Sequence, residues 1–117
     1  MNKIDSIRHG GTSLMTHMVA GYPGRGSDIE VARGLADGGA SFLEVQFPFS
    51  DPSADGVAIQ SACVKALESG FRINDGFDLV SGIRAFSDLP VFIMSYGSVV
   101  YARGVRRFVK EARACGA

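Results

Sequence analysis

Three carboxylates lie in and just after the most hydrophobic strand candidate of the chain, and they could do acid–base chemistry. In the stretch "FLEVQFPFSDPSADG", Glu44 interrupts an apolar run, and Asp51 and Asp55 follow in a loop with two prolines. Burial of a carboxyl group raises its pKa, which lets the group give and take a proton near neutral pH. Glu44 is therefore a candidate general acid or base. A buried glutamate that pairs with an arginine or a backbone donor would leave the same pattern.

The two aspartates also have a purely structural explanation. Asx residues beside proline and glycine form turns, and Asp55 could cap a helix that begins after Gly56. The loop is longer than a turn from strand to helix requires, which favours a functional role. The residues alone predict an acid–base site in an α/β protein, and both explanations of Asp51 and Asp55 stay open.

Apolar strands and amphipathic helices alternate along the chain and would position these acids. Strands are predicted over 13–19, 41–47 and 90–96. Helices are predicted over 27–39, 59–67, 74–86 and 102–114. This alternation predicts a parallel sheet with helices packed outside it. Because a full (β/α)8 barrel needs roughly 200 residues or more, three units indicate a small open α/β domain or the front part of something larger.

Local patterns give more specific expectations for these elements. Ser27 and Glu30 have the spacing of a capping box at the start of the first helix. The last predicted helix should bury Val105, Phe108 and Val109 on one face. In the second strand, Glu44 shares one face with Gln46, while the apolar residues between and beside them share the other. Functional groups gather at the carboxyl ends of parallel strands, so Glu44 should face an opening there.

Composition excludes several classes of function. The 117 residues include 12 basic and 12 acidic side chains, so a net charge of zero gives no reason to expect nucleic acid or an anionic membrane as a partner. No apolar run approaches the ~18 residues that span a bilayer, and the N-terminal stretch does not resemble a secretory signal. Cys63, Cys115, His9 and His17 have no metal-ligand spacing, so we expect no metal site and a reducing, cytoplasmic setting.

A longer stretch resembles a known family. "FLEVQFPFSDPSADGVAIQSACVKAL" is similar to the signature segment of the tryptophan synthase alpha chain, whose pattern is E-L-G-x-P-F-S-D-P-x-A-D-G-x-x-I-Q-x-A. The matching positions are Glu44, Pro48 to Pro52, Ala54 to Gly56, Ile59, Gln60 and Ala62. The resemblance covers essentially the whole chain but only about the first half of a family member. It implies that residues 1–117 are the N-terminal part of a single (β/α)8 barrel, an incomplete TIM barrel of about three β/α units.

The resemblance also implies an activity and catalytic residues. The family cleaves indole-3-glycerol phosphate to indole and glyceraldehyde 3-phosphate, in tryptophan biosynthesis. Glu44 matches the general acid/base, and Asp55 matches the acid that accepts a hydrogen bond from the indole N–H. Tyr96 matches a residue that lines the indole pocket, and His17 stands at a position that is commonly an aromatic or aliphatic wall of this pocket.

A partner is implied as well. Asp51, with Pro48 and Pro52, matches the loop that contacts the beta subunit in an alpha2beta2 assembly. The alpha chain itself needs no cofactor, and pyridoxal phosphate is expected in the beta chain.

The chain departs from the family pattern at several positions. Gln46 stands where the family usually has glycine, and the Asn-Pro that commonly follows the tyrosine is absent after Tyr96. The later half, with the family's phosphate-binding loops, has no counterpart here. Two other functions therefore stay open: a non-catalytic alpha-like module that only docks on a beta-type subunit, and a different phosphate-sugar barrel that shares the acids.

Overall fold

Three strands alternate with helices along the chain. The computed structural model describes residues 4–7 and 10–117, and His9 lies outside the described residues. The strands are β1 (Met15–Val19), β2 (Phe42–Gln46) and β3 (Val91–Met94). The helices are α1 (Asp28–Asp37), α2 (Val57–Glu68), α3 (Ile73–Arg84), α4 (Gly97–Arg103) and α5 (Val105–Cys115), preceded by a short 3-10 helix at Asp5–Ile7.

The strands form a parallel sheet in the order β1-β2-β3. The register places His17 beside Glu44 and Glu44 beside Phe92. One step further along, Val19, Gln46 and Met94 form the next row. This β/α order confirms the predicted fold class, parallel β/α units of an incomplete barrel.

The helices cover one face of the sheet and bury the core there. Leu43, Val45 and Phe47 are fully buried on this outer face, as their alternation in the sequence predicts. The ring of Phe47 lies in edge contact with Phe77, at 5.3 Å between ring centroids, and with Phe71, at 6.1 Å. Edge-to-face contacts of this kind stabilise a core beyond its buried area, so Phe47 fixes the end of β2 against the helices.

The opposite face of the sheet is open. Met15, Phe92 and Met94 project from this inner face and are exposed. Glu44 and Gln46 belong to the same face, since they alternate with the buried outer residues of β2. In the described part of the chain, β1 and β3 each pair with β2 alone, so both edges of the sheet are free.

The start of α1 differs from the predicted capping box. Ser27 is the N-cap residue, but its side chain makes no capping hydrogen bond, so that prediction is wrong. The next residue takes over: buried Asp28 accepts one hydrogen bond from the backbone N–H of Gly21 (2.8 Å) and another from that of Ile29 (2.9 Å). The carboxylate thereby ties the loop after β1 to the first turn of α1.

The last predicted helix, 102–114, corresponds mainly to α5 and overlaps only the end of α4, most of which was not predicted. Gly104 separates α4 from α5 and adopts a φ of +92°, a left-handed conformation that glycine enters without strain. Phe108 is buried as predicted. Val105 and Val109 are 47% and 59% exposed, so their predicted burial is wrong. The break at Gly104 turns α5 so that Phe108, rather than a broad valine stripe, meets the core.

No helix among the described residues is long and apolar enough to cross a membrane.

Candidate active site

The site lies where the inner face of the sheet meets the loop after β2. This loop runs over 47–56 and folds back on itself, because the backbone N–H of Asp55 donates to the carbonyl of Pro52 (3.0 Å). The Asp55 side chain reaches the sheet, where Gln46 of β2 donates a hydrogen bond to it. Gly56 is the N-cap residue of α2 and receives no side-chain cap, so the structural explanation of Asp55 as a helix cap fails.

Asp55 is held by two side chains from different elements. Its Oδ2 atom accepts hydrogen bonds from Gln46 Nε2 (3.0 Å) and from Tyr96 Oη (2.7 Å). Gln46 is on β2, and Tyr96 follows β3. The carboxylate of Asp55 therefore faces the same side of the sheet as Glu44, and the structure brings Asp55 and Tyr96 into direct contact.

Gln46 extends this network to β1. Its Oε1 atom lies 2.8 Å from Nε2 of His17, and its Nε2 atom also contacts Cys63 Sγ at 3.9 Å. The Gln46 side chain is fully buried. A row of hydrogen bonds thus runs from His17 on β1 through Gln46 on β2 to Asp55 and to Tyr96, which follows β3.

Glu44 lies beside His17, next to the first residue of this row of hydrogen bonds. Its Oε1 atom is 4.0 Å from His17 Nε2, and the side chains of both residues are 31% exposed. No arginine pairs with Glu44 in the described part of the chain, which removes the structural alternative of a buried glutamate–arginine pair. Glu44 is accessible and free to meet a ligand on the inner face.

Tyr96 has a raised pKa. The cause is desolvation of its hydroxyl group, reinforced by the hydrogen bond that it donates to Asp55. The backbone N–H of Ala54 donates to Tyr96 Oη (3.2 Å), and the ring of Phe49 stacks on the tyrosine ring at 5.1 Å between centroids. Tyr96 thereby closes the loop over the sheet and stays a neutral hydrogen-bond donor at physiological pH.

The three residues expected at a partner interface differ in exposure. Asp51 is exposed at the tip of the loop, whereas Pro48 and Pro52 are buried. The prolines therefore shape the loop from inside, and of the three only Asp51 presents its side chain outward.

Cys63 of α2 contacts Gln46 and is expected to be unreactive. Burial is the largest cause that raises the pKa of its thiol group, so the reactive thiolate is disfavoured. The described residues contain no group of three or more histidine, cysteine, aspartate or glutamate side chains arranged to hold a metal ion.

Sequence reasoning missed the roles of Gln46 and Phe49. The alternation of β2 placed Gln46 on the face of Glu44, which was the available signal. Its partners could not be predicted, because the bond to His17 spans 29 residues and depends on the pairing register of β1 with β2. Phe49 matched the family's signature segment, but nothing in the sequence indicated that its ring would stack on Tyr96.

The chain matches the family model for the tryptophan synthase alpha chain over residues 5–117. The tryptophan synthase alpha chain of Helicobacter hepaticus is 43% identical over 109 residues, which cover 88% of this chain and 41% of that protein. The corresponding protein of Methanothermobacter thermautotrophicus is 38% identical, covering 93% and 40%.

Solved structures agree with this match. A mutant tryptophan synthase alpha-subunit from Pyrococcus furiosus superimposes with a TM-score of 0.86 at 38% identity, covering 90% of this chain and 42% of that one. The alpha2beta2 tryptophan synthase complex of the same organism gives a TM-score of 0.85 with the same identity and coverage. The chain spans about two fifths of the length of the relatives that it matches. This chain belongs to the tryptophan synthase alpha chain family.

Proposed function

We propose that this chain supplies the catalytic carboxylates of a lyase that cleaves indole-3-glycerol phosphate to indole and glyceraldehyde 3-phosphate. One observation carries the proposal. The hydrogen bond from Gln46 to Asp55 places Asp55 on the face of β2 that also presents Glu44. Two acids that face one open surface can act on a single substrate, whereas acids on opposite faces could not.

The reaction needs both acids in different roles. Retro-aldol cleavage requires a proton on indole C3 and loss of a proton from the glycerol hydroxyl group beside the breaking C–C bond. Glu44 is accessible and carries no arginine partner in the described residues, so we assign it these proton transfers. Asp55 stabilises the positive charge that spreads to the ring nitrogen as C3 is protonated.

The geometry of Asp55 suits this second role. Both donors, Gln46 and Tyr96, bond to Oδ2, and in the described part of the chain Oδ1 receives no hydrogen bond. A carboxylate anchored through one oxygen can offer the other to a ring N–H. Tyr96 and its stacked neighbour Phe49 form the wall against which a flat ring would lie. His17 lies across the site from this wall and completes the pocket we assign to the indole.

We propose that residues 1–117 are the N-terminal part of a single (β/α)8 barrel. The open inner face and the two free edges support this, since further strands would cover both. The phosphate group would be bound by the remainder of the barrel. The loop after β1 is a poor substitute, because its Gly21 N–H is already bonded to the carboxylate of Asp28.

We further propose that the loop after β2 docks on a tryptophan synthase beta chain in an alpha2beta2 assembly. Exposed Asp51 would make the contact, while buried Pro48 and Pro52 keep the loop in shape. The solved complex to which this chain is similar contains both kinds of subunit. Pyridoxal phosphate would belong to the beta chain. We place the assembly in the reducing cytoplasm, in keeping with the free thiols of Cys63 and Cys115.

Indole release from indole-3-glycerol phosphate tests the proposed function. In the complete barrel that we propose, Glu44→Gln should lower kcat at least roughly 100-fold, because the amide cannot transfer the protons. General acid–base catalysis contributes about 10²–10⁴-fold to the rate. Glu30→Gln is the matched control, since Glu30 is an exposed acid on α1 that pairs with Arg33 at 3.6 Å, away from the candidate site. Undiminished turnover in Glu44→Gln would remove Glu44 from the mechanism. Binding of a beta chain without turnover by the wild type would favour the docking module instead.

A further inference from the structure

Gln46 is a fully buried polar side chain, and its three polar contacts within the described part of the chain all lie inside the candidate site. It joins His17 on β1, Asp55 in the loop and Cys63 on α2. Buried polar groups are costly unless they are hydrogen-bonded, so a glutamine in this place needs all of these partners. We call the hydrogen bonds from Gln46 to His17 and to Asp55 the Gln46 bridge. These bonds meet the needs of the buried amide, and they also act on the Asp55 carboxylate.

The direction of each hydrogen bond follows from groups that can act in one way only. The backbone N–H of Ala54 can only donate, so it occupies an acceptor position of Tyr96 Oη and leaves the tyrosine hydrogen free for Asp55. An ionised carboxylate can only accept, so Gln46 must turn its NH₂ group toward Asp55. The Gln46 carbonyl oxygen then faces His17 Nε2, which must carry the hydrogen.

Two donors from separate elements, Gln46 on β2 and Tyr96 after β3, remove the rotational freedom of the Asp55 carboxylate. A bond from Tyr96 alone would fix one oxygen but allow the group to turn about it. The second bond, from Gln46, comes from a different direction and holds Oδ2 against the sheet. His17 and Asp55 together hold the Gln46 amide in this orientation, because a flip would set its NH₂ group against the N–H of His17 and its carbonyl oxygen against the carboxylate.

We propose that Gln46, held by His17, is a positioning residue that aims the free Oδ1 atom of Asp55 at the ring N–H of the substrate. The inference rests on the proposed function and deepens it. Gln46 touches no reacting atom. It acts through Asp55, and its effect should therefore depend on whether the substrate has an N–H for Asp55 to accept.

Gln46→Met tests this proposal. Methionine has a similar length, adds no charge and removes the hydrogen bonds that the Gln46 amide makes with His17 and Asp55. With indole-3-glycerol phosphate, we expect kcat to fall roughly 10- to 100-fold with a smaller change in KM, since misplacing a catalytic group by about 1 Å costs up to ~10²-fold. With the substrate methylated on the ring nitrogen, the ratio of wild-type to variant kcat should fall to nearly one. Equal losses with both substrates, or no loss with either, would overturn the proposal.

Gln60→Met is the matched control. Gln60 donates to the backbone carbonyl of Asp55 (2.8 Å) and leaves the carboxylate bonds intact, so any loss there should be the same for both substrates. His17→Phe is the second variant should Gln46→Met not fold. It removes the partner of the Gln46 carbonyl oxygen and so loosens the side chain, and it should show the same dependence on the ring N–H with a smaller loss. If His17→Phe lowers kcat equally with the unmethylated and the methylated substrate, the proposed role of the hydrogen bond from His17 to Gln46 is contradicted.

Binding gives a readout independent of turnover. Wild type should bind indole more tightly than 1-methylindole, and Gln46→Met should reduce that preference. An unchanged preference would overturn the role of Gln46. If wild type instead releases no indole from indole-3-glycerol phosphate while the preference holds, the proposed function fails and the positioning role survives.

Discussion

Replacing Gly76 with alanine tests the packing that holds the end of β2, and thereby the site. Gly76 lies in α3, where alanine normally stabilises a helix by up to about 1 kcal/mol relative to glycine. Here a Cβ atom would lie 2.5 Å from Cζ and 2.6 Å from Cε1 of Phe47. These distances are far shorter than a van der Waals contact, so the ring or the helix must move.

The Phe47 ring has little room to move. It is fully buried and in contact with the rings of Phe71, Phe77 and Phe108. Overpacking of a core typically costs about 1–3 kcal/mol. After the gain of about 1 kcal/mol in helix propensity, Gly76→Ala should lower the free energy of unfolding by about 0–2 kcal/mol.

Urea denaturation of the full chain measures this change, with Gly34→Ala as the control. Gly34 is an exposed residue of α1, and a Cβ atom there meets nothing within 4 Å. Gly34→Ala should therefore raise the free energy of unfolding by about 0.5–1 kcal/mol. In a Phe47→Leu background the penalty of Gly76→Ala should shrink, because the clashing ring is gone. Stabilisation by Gly76→Ala equal to that by Gly34→Ala would refute the placement of Phe47.

Two further substitutions probe the loops around the site. Asp28→Asn replaces one of the two oxygens that accept the N–H groups of Gly21 and Ile29 with a donor. It should therefore lower the free energy of unfolding, measured by urea denaturation, by about 1–3 kcal/mol. A change within about ±0.5 kcal/mol, as expected for a surface residue, would contradict the stabilising role of these hydrogen bonds. Tyr96 has a pKa above its ordinary 10.0, first from desolvation and then from its bond to Asp55. Because the folded pKa is the higher one, the contribution of Tyr96 to stability should be complete below pH 10 and lost as pH rises through the folded pKa. The ultraviolet titration difference between wild type and Tyr96→Phe should appear above pH 10, and a difference centred at or below pH 10 would contradict the assignment.

The strand and helix order could be predicted from the sequence because it depends on local patterns. Apolar runs of strand length alternate with one-sided helices, and the alternation in β2 separates Glu44 from Leu43 and Val45 without any knowledge of the fold. The break at Gly104 was missed because the apolar spacing continues across it. Only the position of the core shows that Val105 lies outside.

The capping prediction at α1 failed for a related reason. Ser27 and Glu30 have the right spacing, but Asp28 lies close enough to the loop after β1 to bind Gly21 instead. A spacing rule does not include that tertiary contact.

The sequence could supply the residues of the candidate site but not the hydrogen bonds that join them. The resemblance pointed to Glu44, Asp55 and Tyr96, and the structure links the last two by a hydrogen bond. The bridge through Gln46 to His17 needs the register of β1 against β2, which no local pattern contains. The departures from the family pattern at these two positions become intelligible together, since each supplies the partner that the other requires.

The most direct test of the account is a crystal structure of the full-chain Glu44→Gln variant with indole-3-glycerol phosphate bound and uncleaved. The account predicts the indole N–H within hydrogen-bond reach of Asp55 Oδ1, at about 3 Å, and the side chain of residue 44 beside the C–C bond that would break. An indole ring bound away from Asp55, or lying on the opposite face of the sheet from residue 44, would contradict it.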